Sequence, residues 1–296
     1  MADARIAIIG GSGFYDMKGL GDRREVRCET PFGEPSDAIT LGSVGGMPVA
    51  FLARHGRGHR LLPSEVPARA NIYALKTLGV ERIISVNAVG SLREEIAPRH
   101  LVVPDQLIDR TTGRRSTFFG EGLVASISMG DPFCSELSGF LLEGARQTEA
   151  TTHAGGTVVV MEGPAFSTRA ESSLYRAWGA DLINMTMLPE AKLAREAGIC
   201  YAALACVTDY DVWHERHAEV TAQMIIDNLV LSVENARRAV ALAVESVPSR
   251  RNCGCAFTLA DALATALSNV PPETLRKLGP IIADYVAAGE AGHGGE

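Results

Sequence analysis

The chain has 296 residues, of which 46% are hydrophobic and 21% charged, and its formal net charge is -7. A chain of this size can bury a large core as one α/β domain or as two. The acidic balance argues against a nucleic-acid partner, because phosphate backbones are bound by basic surfaces. No apolar run reaches the ~20 residues that cross a bilayer, and the first residues lead into a strand rather than a signal peptide. We therefore expect a cytoplasmic protein without membrane contact.

Short apolar runs alternate with segments of helical periodicity along most of the chain. The predicted strands are Arg5–Ile9, Val49–Ala53, Arg82–Val86, His100–Val103, Thr157–Met161, Asp181–Met185 and Ile199–Val207. The predicted helices are Pro67–Leu78, Cys134–Gln147, Arg169–Trp178, Met187–Ala197 and Thr221–Val247. Such alternation predicts an α/β fold with a mixed, mainly parallel central sheet flanked by helices.

The C-terminal part of the sequence departs from this alternation. We expect one domain over residues 1–247 and a C-terminal extension over residues 248–296. Residues 257–288 predict two short amphipathic helices, the second starting at Pro271-Pro272, because proline is tolerated in the first turn of a helix. Residues 289–296 are expected to be disordered.

Small or hydrogen-bonding residues follow five of the predicted strands. They are Gly10–Gly13, Arg54–His59, Asn87–Ser91, Thr186 and Thr208-Asp209. Because the carboxyl ends of parallel strands meet at one edge, where open α/β sheets bind ligands, we expect a site there. Hydroxyls, backbone N–H groups and the planar fork of Arg54 suit an oxyanion such as phosphate. The glycine cluster alone also fits an ordinary tight turn, since it matches neither GxGxxG nor a P-loop.

Two acidic residues, Asp209 and Asp211, follow the most apolar predicted strand. Side chains alternate along a strand, so both carboxylates face one side if the extended geometry continues. Burial and mutual repulsion would raise the pKa of one of them and keep it protonated near neutral pH. A polar loop that caps the next helix explains the same residues equally well.

Six cysteines are scattered along the chain, without a CxxC pair, and the seven histidines do not fall at metal-ligand spacings. This spacing predicts no metal site. The segment Cys253-Gly254-Cys255 fits a pair of free thiols in a surface turn. It also fits a strained disulfide, or partners for cysteines elsewhere in the chain.

Several long blocks of sequence, in one order from Ile6 to Ala239, resemble the trimeric purine nucleoside phosphorylase family. They include Gly-Gly-Ser-Gly at 10–13, Arg-His-Gly-Arg-Gly-His at 54–59, Gly-Ser-Leu-Arg-Glu-Glu-Ile at 90–96, Asp-Gln-Leu-Ile-Asp-Arg-Thr-Thr at 105–112, Glu-Gly-Pro-Ala-Phe-Ser-Thr-Arg-Ala-Glu-Ser at 162–172, Trp-Gly-Ala-Asp-Leu-Ile-Asn-Met-Thr at 178–186, Pro189-Glu190 and Thr-Asp-Tyr-Asp at 208–211. Within that family, the chain looks most like the branch that acts on 5'-methylthioadenosine. The resemblance implies phosphorolysis of an N-glycosidic bond, with inorganic phosphate as co-substrate and without a cofactor or metal.

The resemblance also implies roles for individual residues at matching positions. The implied phosphate ligands are Ser12, Arg54, His55, Asn87, Ala88 and Thr186. The implied substrate-binding residues are Met185, Phe166, Ser167, Thr208, His59, Ala222, Ile225 and Ile226, with Val220 beside the last three in an apolar pocket for the methylthio group. Asp209 and Asp211 would be the catalytic residues that bind the purine.

Two positions predict which purine is bound. Relatives that act on 6-oxopurines carry glutamate after the phenylalanine of the Gly-Pro-x-Phe block and asparagine at the first acidic position. This chain has Ser167 and Asp209 there. A 6-amino group donates hydrogen bonds and needs acceptors, and a mismatched buried polar group costs roughly 1–3 kcal/mol. The sequence therefore favours adenine over hypoxanthine.

We expect reversible cleavage of 5'-methylthioadenosine to adenine and 5-methylthioribose 1-phosphate by a homotrimer or a dimer of trimers. The alternative within the family is a phosphorylase of 5'-methylthioinosine or other 6-oxopurine nucleosides. A hydrolytic nucleosidase would use water and would not need Arg54. A non-catalytic nucleoside-binding protein would not need both acids together with the phosphate ligands. Ser126 stands where a neighbouring subunit's histidine is often found, so tolerance for adenosine stays open.

Overall fold

The computed structural model of the chain describes residues 3–11, 14, 20–214 and 221–292. One sheet contains the strands β1 Ile6–Gly10, β2 Gly21–Val26, β3 Ile39–Val44, β4 Met47–Ala53, β5 Arg82–Ser91, β6 Leu101–Val103, β7 Gln106–Arg110, β8 Thr152–Ala154, β9 Thr157–Met161, β10 Leu182–Asn184 and β11 Cys200–Asp209. The helices are α1 Ala68–Thr77, α2 Ser135–Arg146, α3 Arg169–Ala177, α4 Met187–Glu196, α5 Ala222–Ser246, α6 Pro272–Leu278 and α7 Ala283–Gly292. The predicted α/β class with a mixed sheet is confirmed.

Four parallel strands form the centre of the sheet in the order β4, β1, β5, β11. Every residue of β1 and β11 is buried. A parallel strand covered on both faces requires an uninterrupted apolar run rather than alternation, which is the pattern that predicted β11. Because the four strands share one direction, the residues that follow β1, β4 and β11 lie at the same edge.

The direction of β10 differs from the sequence prediction. β10 pairs antiparallel with the last residues of β5, with Leu182 opposite Ser91 and Ile183 opposite Gly90. The expectation that all five strand ends belong to a parallel arrangement is therefore wrong for this strand. β5 continues past its predicted end at Val86, and its extra length provides the edge along which β10 runs back. The end of β10 consequently reaches the middle of β5.

The two faces of the sheet are covered by different helices. The core on one face includes side chains from α1 and α4, and the core on the other includes side chains from α2 and α5. The C-terminal extension is part of the first core, since Leu278, Ile281 and Ile282 are buried there. The chain is thus one domain whose extension packs against it. Among the described helices, none has the length and apolar character needed to span a bilayer.

Three details of the extension differ from the sequence predictions. Helix α7 continues to Gly292, although disorder was expected from Gly289, and residues 293–296 lie outside the described part. Cys255 is buried, so the prediction that Cys253 and Cys255 are a pair of free thiols in a surface turn is also wrong. Helix α6 begins at Pro272 as expected, but α7 follows it as a further helix.

Candidate active site

The ends of β5 and β11 bring two aspartates next to a glycine. A shift in the pairing of these strands after Val207 places Asp209 opposite Gly90. A Cβ atom on Gly90 would lie 2.8 Å from Oδ1 of Asp209 and 3.6 Å from Cβ of Asp211. Both acids can therefore approach the strand only because position 90 has no side chain.

The two aspartates meet through a turn rather than along an extended strand. Asp211 has a φ of 50°, in the left-handed region that aspartate tolerates better than most residues. Its backbone N–H donates to Oδ1 of Asp209 at 2.8 Å, and the Thr208 hydroxyl donates to Oδ2 at 2.7 Å. The extended geometry on which the two carboxylates would share one side of the strand therefore ends at Asp209, although the acids do come together.

Burial controls the protonation of both acids. It raises the pKa of Asp209 to about 6, and the negative charge of Asp211 adds to this shift, while hydrogen bonds from Thr208 and the Asp211 amide oppose it. Burial also raises the pKa of Asp211, and the nearby hydroxyls of Ser172 and Ser167 partly offset this rise. Oδ2 of Asp211 is buried and has no hydrogen-bond donor among the described residues. The pair thus combines a group that can carry a proton near neutral pH with an unsatisfied acceptor.

Arg54 follows β4 and is almost entirely buried, at 1% exposure. Its Nε donates to Oε2 of Glu190 at 2.9 Å, and its Nη2 donates to Oε1 of Glu190 at 3.1 Å. Nη2 also donates to the Ser85 hydroxyl at 2.6 Å, and Nη1 donates to the Val86 carbonyl at 3.2 Å. The Tyr201 hydroxyl completes the cluster by donating to Oε1 of Glu190 at 2.9 Å.

This cluster corrects the expected role of Arg54 as a two-point phosphate fork. A guanidinium has five N–H groups, and the four contacts above leave one of them, on Nη1. A Cβ on Gly11 would lie 2.7 Å from Nη1, so this nitrogen lies beside Gly11, directly after β1. Burial alone would lower the pKa of Arg54, but the Glu190 carboxylate more than offsets this and the net shift is upward. Arg54 therefore contributes a fixed positive charge and has a single uncommitted N–H, on the nitrogen beside Gly11.

Three of the other predicted phosphate ligands lie beside Arg54. Nδ2 of Asn87 donates to the Ser85 hydroxyl at 3.0 Å, and the Thr186 hydroxyl donates to Oδ1 of Asn87 at 3.3 Å. Asn184 joins the strands, because its Nδ2 donates to the Ala88 carbonyl at 2.9 Å and its Oδ1 accepts from the Thr186 amide at 2.8 Å. The structure thus gathers Arg54, Asn87, Ala88 and Thr186. Ser12 lies outside the described residues.

The rings of His55 and His59 lie next to this cluster in a tilted arrangement, with their centroids 4.4 Å apart and an interplanar angle of 31°. Nδ1 of His55 lies 2.8 Å from the Leu61 carbonyl, so this nitrogen carries the proton in the neutral ring. Burial, together with the positive charge of Arg54, lowers the pKa of His55 to about 4. Burial also lowers the pKa of His59. His55 is therefore neutral at physiological pH, and its Nε2 is an acceptor there rather than a charged donor.

The predicted sugar and base contacts occupy the segments around β9 and β10. Ser167 is buried and Phe166 is 40% exposed. Met185 packs against Gly163, where a Cβ would meet its sulfur at 2.5 Å. Arg114 fixes this segment by donating to the Met185 carbonyl at 2.6 Å. Sequence reasoning missed Arg114, because nothing in its local sequence indicates a buried partner.

Helix α5 presents different residues to the site from those predicted. A cavity of about 470 Å³ beside the acids is lined by Ala97, Pro98, Arg99, Thr208, Asp209, Tyr210, Met224 and Asn228. Nδ2 of Asn228 donates to the Thr208 carbonyl at 2.7 Å, which fixes the helix against β11. Ala222 and Ile226 are exposed and Ile225 packs toward the core, so within one chain these three do not line the cavity. Val220 lies outside the described residues.

The anion cluster and the acid pair lie along the same strand. Asn87 of β5 belongs to the anion cluster, and Gly90 of β5 contacts the acid pair. Three residues of a strand span ~10 Å, which is the separation of the two groups along β5. Thr186 and Asp209 flank this stretch of β5 through β10 and β11. The described residues thus place the cluster around a fixed positive charge and a protonatable carboxyl along one stretch of β5.

Comparison with known proteins gives consistent results. A model of the "Phosphorylase superfamily" matches residues 5–245. The chain is 55% identical over 289 residues to an S-methyl-5'-thioadenosine phosphorylase of Koribacter versatilis, covering 98% of this chain and 99% of the relative. The crystal structure of a methylthioadenosine phosphorylase from an antarctic soil metagenomic library matches with a TM-score of 0.90 and 51% identity, covering 95% and 99% of the two chains. A methylthioadenosine phosphorylase from Schistosoma mansoni, in complex with adenine, matches with a TM-score of 0.82 and 37% identity, covering 88% and 99%.

Proposed function

This chain belongs to the phosphorylase superfamily, and we propose that it cleaves 5'-methylthioadenosine reversibly with phosphate. The products are adenine and 5-methylthioribose 1-phosphate. The observation that carries this proposal is the position of the buried acid pair, Asp209 and Asp211, ~10 Å along β5 from the Arg54 cluster. A nucleoside bridges two such groups, with its base at one end and its anomeric carbon toward the other.

Phosphate occupies the cluster around Arg54. The charge of Arg54 cannot rotate away, because Glu190 and Ser85 hold three of its N–H groups. The remaining Nη1 N–H supplies one donor to the anion, and the Thr186 hydroxyl supplies another by turning away from Oδ1 of Asn87. A nucleophile held at a fixed position gains the advantage of proximity without losing mobility at the moment of reaction. No cofactor or metal takes part, and inorganic phosphate is the co-substrate.

Adenine binds at the acid pair. The protonated carboxyl of Asp209 donates a hydrogen bond to purine N7, where negative charge grows as the glycosidic bond breaks. Oδ2 of Asp211, which lacks a donor among the described residues, accepts from the 6-amino group. The oxygen of a 6-oxopurine is itself an acceptor, so it could not pair with Oδ2 of Asp211, and both oxygens would lack a donor. The site therefore selects adenine.

The reaction then proceeds through a sugar cation. Bond cleavage gives the anomeric carbon oxocarbenium character, and the phosphate held below it stabilises this charge before capturing the carbon. The proton on Asp209 passes to N7 as the base leaves, so adenine departs as a neutral molecule. Hydrogen phosphate releases its proton on bonding to the carbon, and the Asp209 carboxylate takes one up from solvent before the next turnover. The charge that develops at each end of the nucleoside is thus matched by a group that is already in place.

The protein acts as a homotrimer or as a dimer of trimers. Three large apolar side chains near the site, Phe166, Ile226 and Val230, are 40%, 49% and 63% exposed. Exposed apolar groups of this size are typical of protein interfaces. A neighbouring subunit that covers the start of α5 would complete the apolar pocket for the methylthio group around Ala222 and Ile226. Light scattering of the purified protein tests the assembly.

A substrate panel tests the proposed function. The four nucleosides are 5'-methylthioadenosine, adenosine, 5'-methylthioinosine and inosine, each incubated with and without phosphate. We expect the highest kcat/KM for 5'-methylthioadenosine, and release of base only with phosphate. Preferred cleavage of the two inosine compounds would instead establish the 6-oxopurine alternative. Release of adenine at an unchanged rate without phosphate would establish a hydrolase.

A further inference from the structure

Four cysteines meet at the opposite end of β11 from the acid pair. Cys134 caps the N-terminus of α2, Cys200 begins β11, and Cys253 and Cys255 belong to the loop after α5. Their four Sγ atoms lie within 4.8 Å of one another, and those of Cys200 and Cys253 are 3.3 Å apart. Three of these side chains are buried. Cys200 and Asp209 are nine residues apart on one strand, a separation of ~30 Å, so the proposed reaction does not use the cluster.

Contacts that involve no sulfur hold the loop of Cys253 and Cys255 in place. Nη1 of Arg251 donates to the Gly198 carbonyl at 2.8 Å. The backbone N–H of Asn252 donates to Oε2 of Glu136 at 3.0 Å. The Thr258 hydroxyl donates to the Arg195 carbonyl at 2.7 Å. The meeting of the thiols is therefore a consequence of how the extension packs on the domain.

The spacing of the sulfur atoms fits a single tetrahedral metal ion. Zinc binds thiolates at about 2.3 Å, which places tetrahedral sulfur atoms about 3.8 Å from each other. This value lies between the 3.3 Å of the Cys200–Cys253 pair and the 4.8 Å limit for the cluster. A disulfide would require a separation of about 2.05 Å. Sub-ångström shifts of the side chains are enough to surround an ion.

The position of Cys134 suits a negatively charged sulfur atom. Cys134 stands at the N-terminus of α2, where the helix dipole stabilises negative charge. A thiolate is the form that binds soft metal ions, and the remaining thiols release their protons when the ion enters.

We propose that Cys134, Cys200, Cys253 and Cys255 bind one zinc ion. The ion ties the C-terminal extension to α2 and β11 and has a structural role, because four protein ligands leave no position for substrate. The spacing of the cysteines in the sequence predicted no metal site, since zinc motifs usually contain a CxxC pair. Here the ligands come from three distant segments, with only the Cys-Gly-Cys pair adjacent.

Metal analysis of the full-length protein tests this site. The protein is purified under reducing conditions, dialysed against metal-free buffer and assayed for zinc. We expect about one zinc per chain. Replacement by cobalt should give the intense visible absorption of a tetrahedral thiolate complex. The variant Cys255→Ser should lose at least about nine-tenths of the metal and melt at a lower temperature, whereas Cys28→Ser, which removes a thiol outside the cluster, should keep both.

Three results would overturn the proposal. One is a protein with six reactive thiols that binds neither zinc nor cobalt. Another is a mass lower by two hydrogens for each disulfide among these four residues in the native protein. A third is equal metal content in Cys255→Ser and the unsubstituted chain. Because the cobalt spectrum is recorded on the unsubstituted protein, the test does not depend on the variant folding.

Discussion

Arg54 and Glu190 form a two-point ion pair in the interior, with Nε–Oε2 and Nη2–Oε1 distances of 2.9 and 3.1 Å. Both side chains are at most 4% exposed. The carboxylate occupies the planar edge of the guanidinium that would otherwise grip an anion in two places. Arg54 is thereby oriented so that its Nη1 lies beside Gly11.

The variant Glu190→Gln tests this arrangement. It leaves the buried guanidinium without its counter-charge, and breaking a buried pair typically costs about 3–5 kcal/mol. We expect a loss of stability of that order in urea unfolding. We also expect a rise of about tenfold or more in the KM for phosphate, because Arg54 is no longer fixed.

A matched control for this variant is Glu143→Gln. Glu143 pairs with Arg146 on the surface, where the two side chains are 66% and 54% exposed. Surface pairs contribute about 0–1 kcal/mol, so this change should alter neither stability nor the phosphate KM appreciably. Equal effects of the two substitutions would show that the buried pair does not position Arg54.

Replacement of Gly90 tests the close approach of the acids to β5. In Gly90→Ala the new methyl group would meet Oδ1 of Asp209 at 2.8 Å and Ile183 at 2.9 Å. Asp209 must move, and kcat/KM for 5'-methylthioadenosine should fall by about a hundredfold, as expected for a misplaced catalytic group. The control Gly139→Ala lies on the exposed side of α2 with open space around it, and should stabilise the protein by about 0.5–1 kcal/mol. Full activity in Gly90→Ala would refute the close-packed arrangement.

The raised pKa of Asp209 predicts how stability changes with pH. Between its ordinary value of 3.8 and its folded value of about 6, the folded protein keeps a proton that the unfolded chain has lost. The free energy of unfolding therefore falls as pH rises through this window, by about 3 kcal/mol in total. Asp209→Asn has no such proton, so its stability should exceed that of the unsubstituted protein increasingly from pH 4 to 6.5. Urea unfolding of both proteins across this range measures the difference, and a constant difference would contradict the shift.

The same proton predicts the pH dependence of catalysis. If protonated Asp209 donates to N7, kcat/KM at saturating phosphate should fall by about tenfold per pH unit above an apparent pKa of about 6. Asp209→Asn should have a far lower kcat and should lack this decline. Steady-state rates from pH 5 to 9 provide the profile. If kcat/KM of Asp209→Asn declined with the same apparent pKa, the titrating proton would belong to another group.

Much of the fold follows from local patterns in the sequence. β11 and α5 were predicted within two residues of their observed ends, because a buried strand is continuously apolar and a long helix keeps its periodicity. β2 was missed, since it is exposed and its sequence, GDRREV, contains no apolar alternation. β2 pairs with β3 through backbone hydrogen bonds, which the pattern of side chains in the sequence does not predict.

The sequence likewise predicted some residues of the candidate site and missed others. Polar residues at strand ends indicated Arg54, Thr186 and Asp209, because topology brings such ends together. Glu190 was not given a role, since its partner lies 136 positions away in the sequence. The available signal was an acid within the apolar start of α4, between Leu188-Pro189 and Ala191, because a buried carboxylate requires a partner. The rotation of α5, which turns Met224 and Asn228 toward Asp209, depends on packing that periodicity alone does not determine.

The most direct test of the proposed chemistry is the fate of the oxygen atoms of phosphate. 5'-Methylthioadenosine is incubated with phosphate labelled with ¹⁸O in all four positions, and the sugar product is analysed by mass spectrometry and ³¹P NMR. The proposed attack of phosphate on the anomeric carbon predicts adenine and 5-methylthioribose 1-phosphate in equal amounts, with every labelled oxygen retained. Free 5-methylthioribose carrying an oxygen from water, formed as fast without phosphate as with it, would contradict the account.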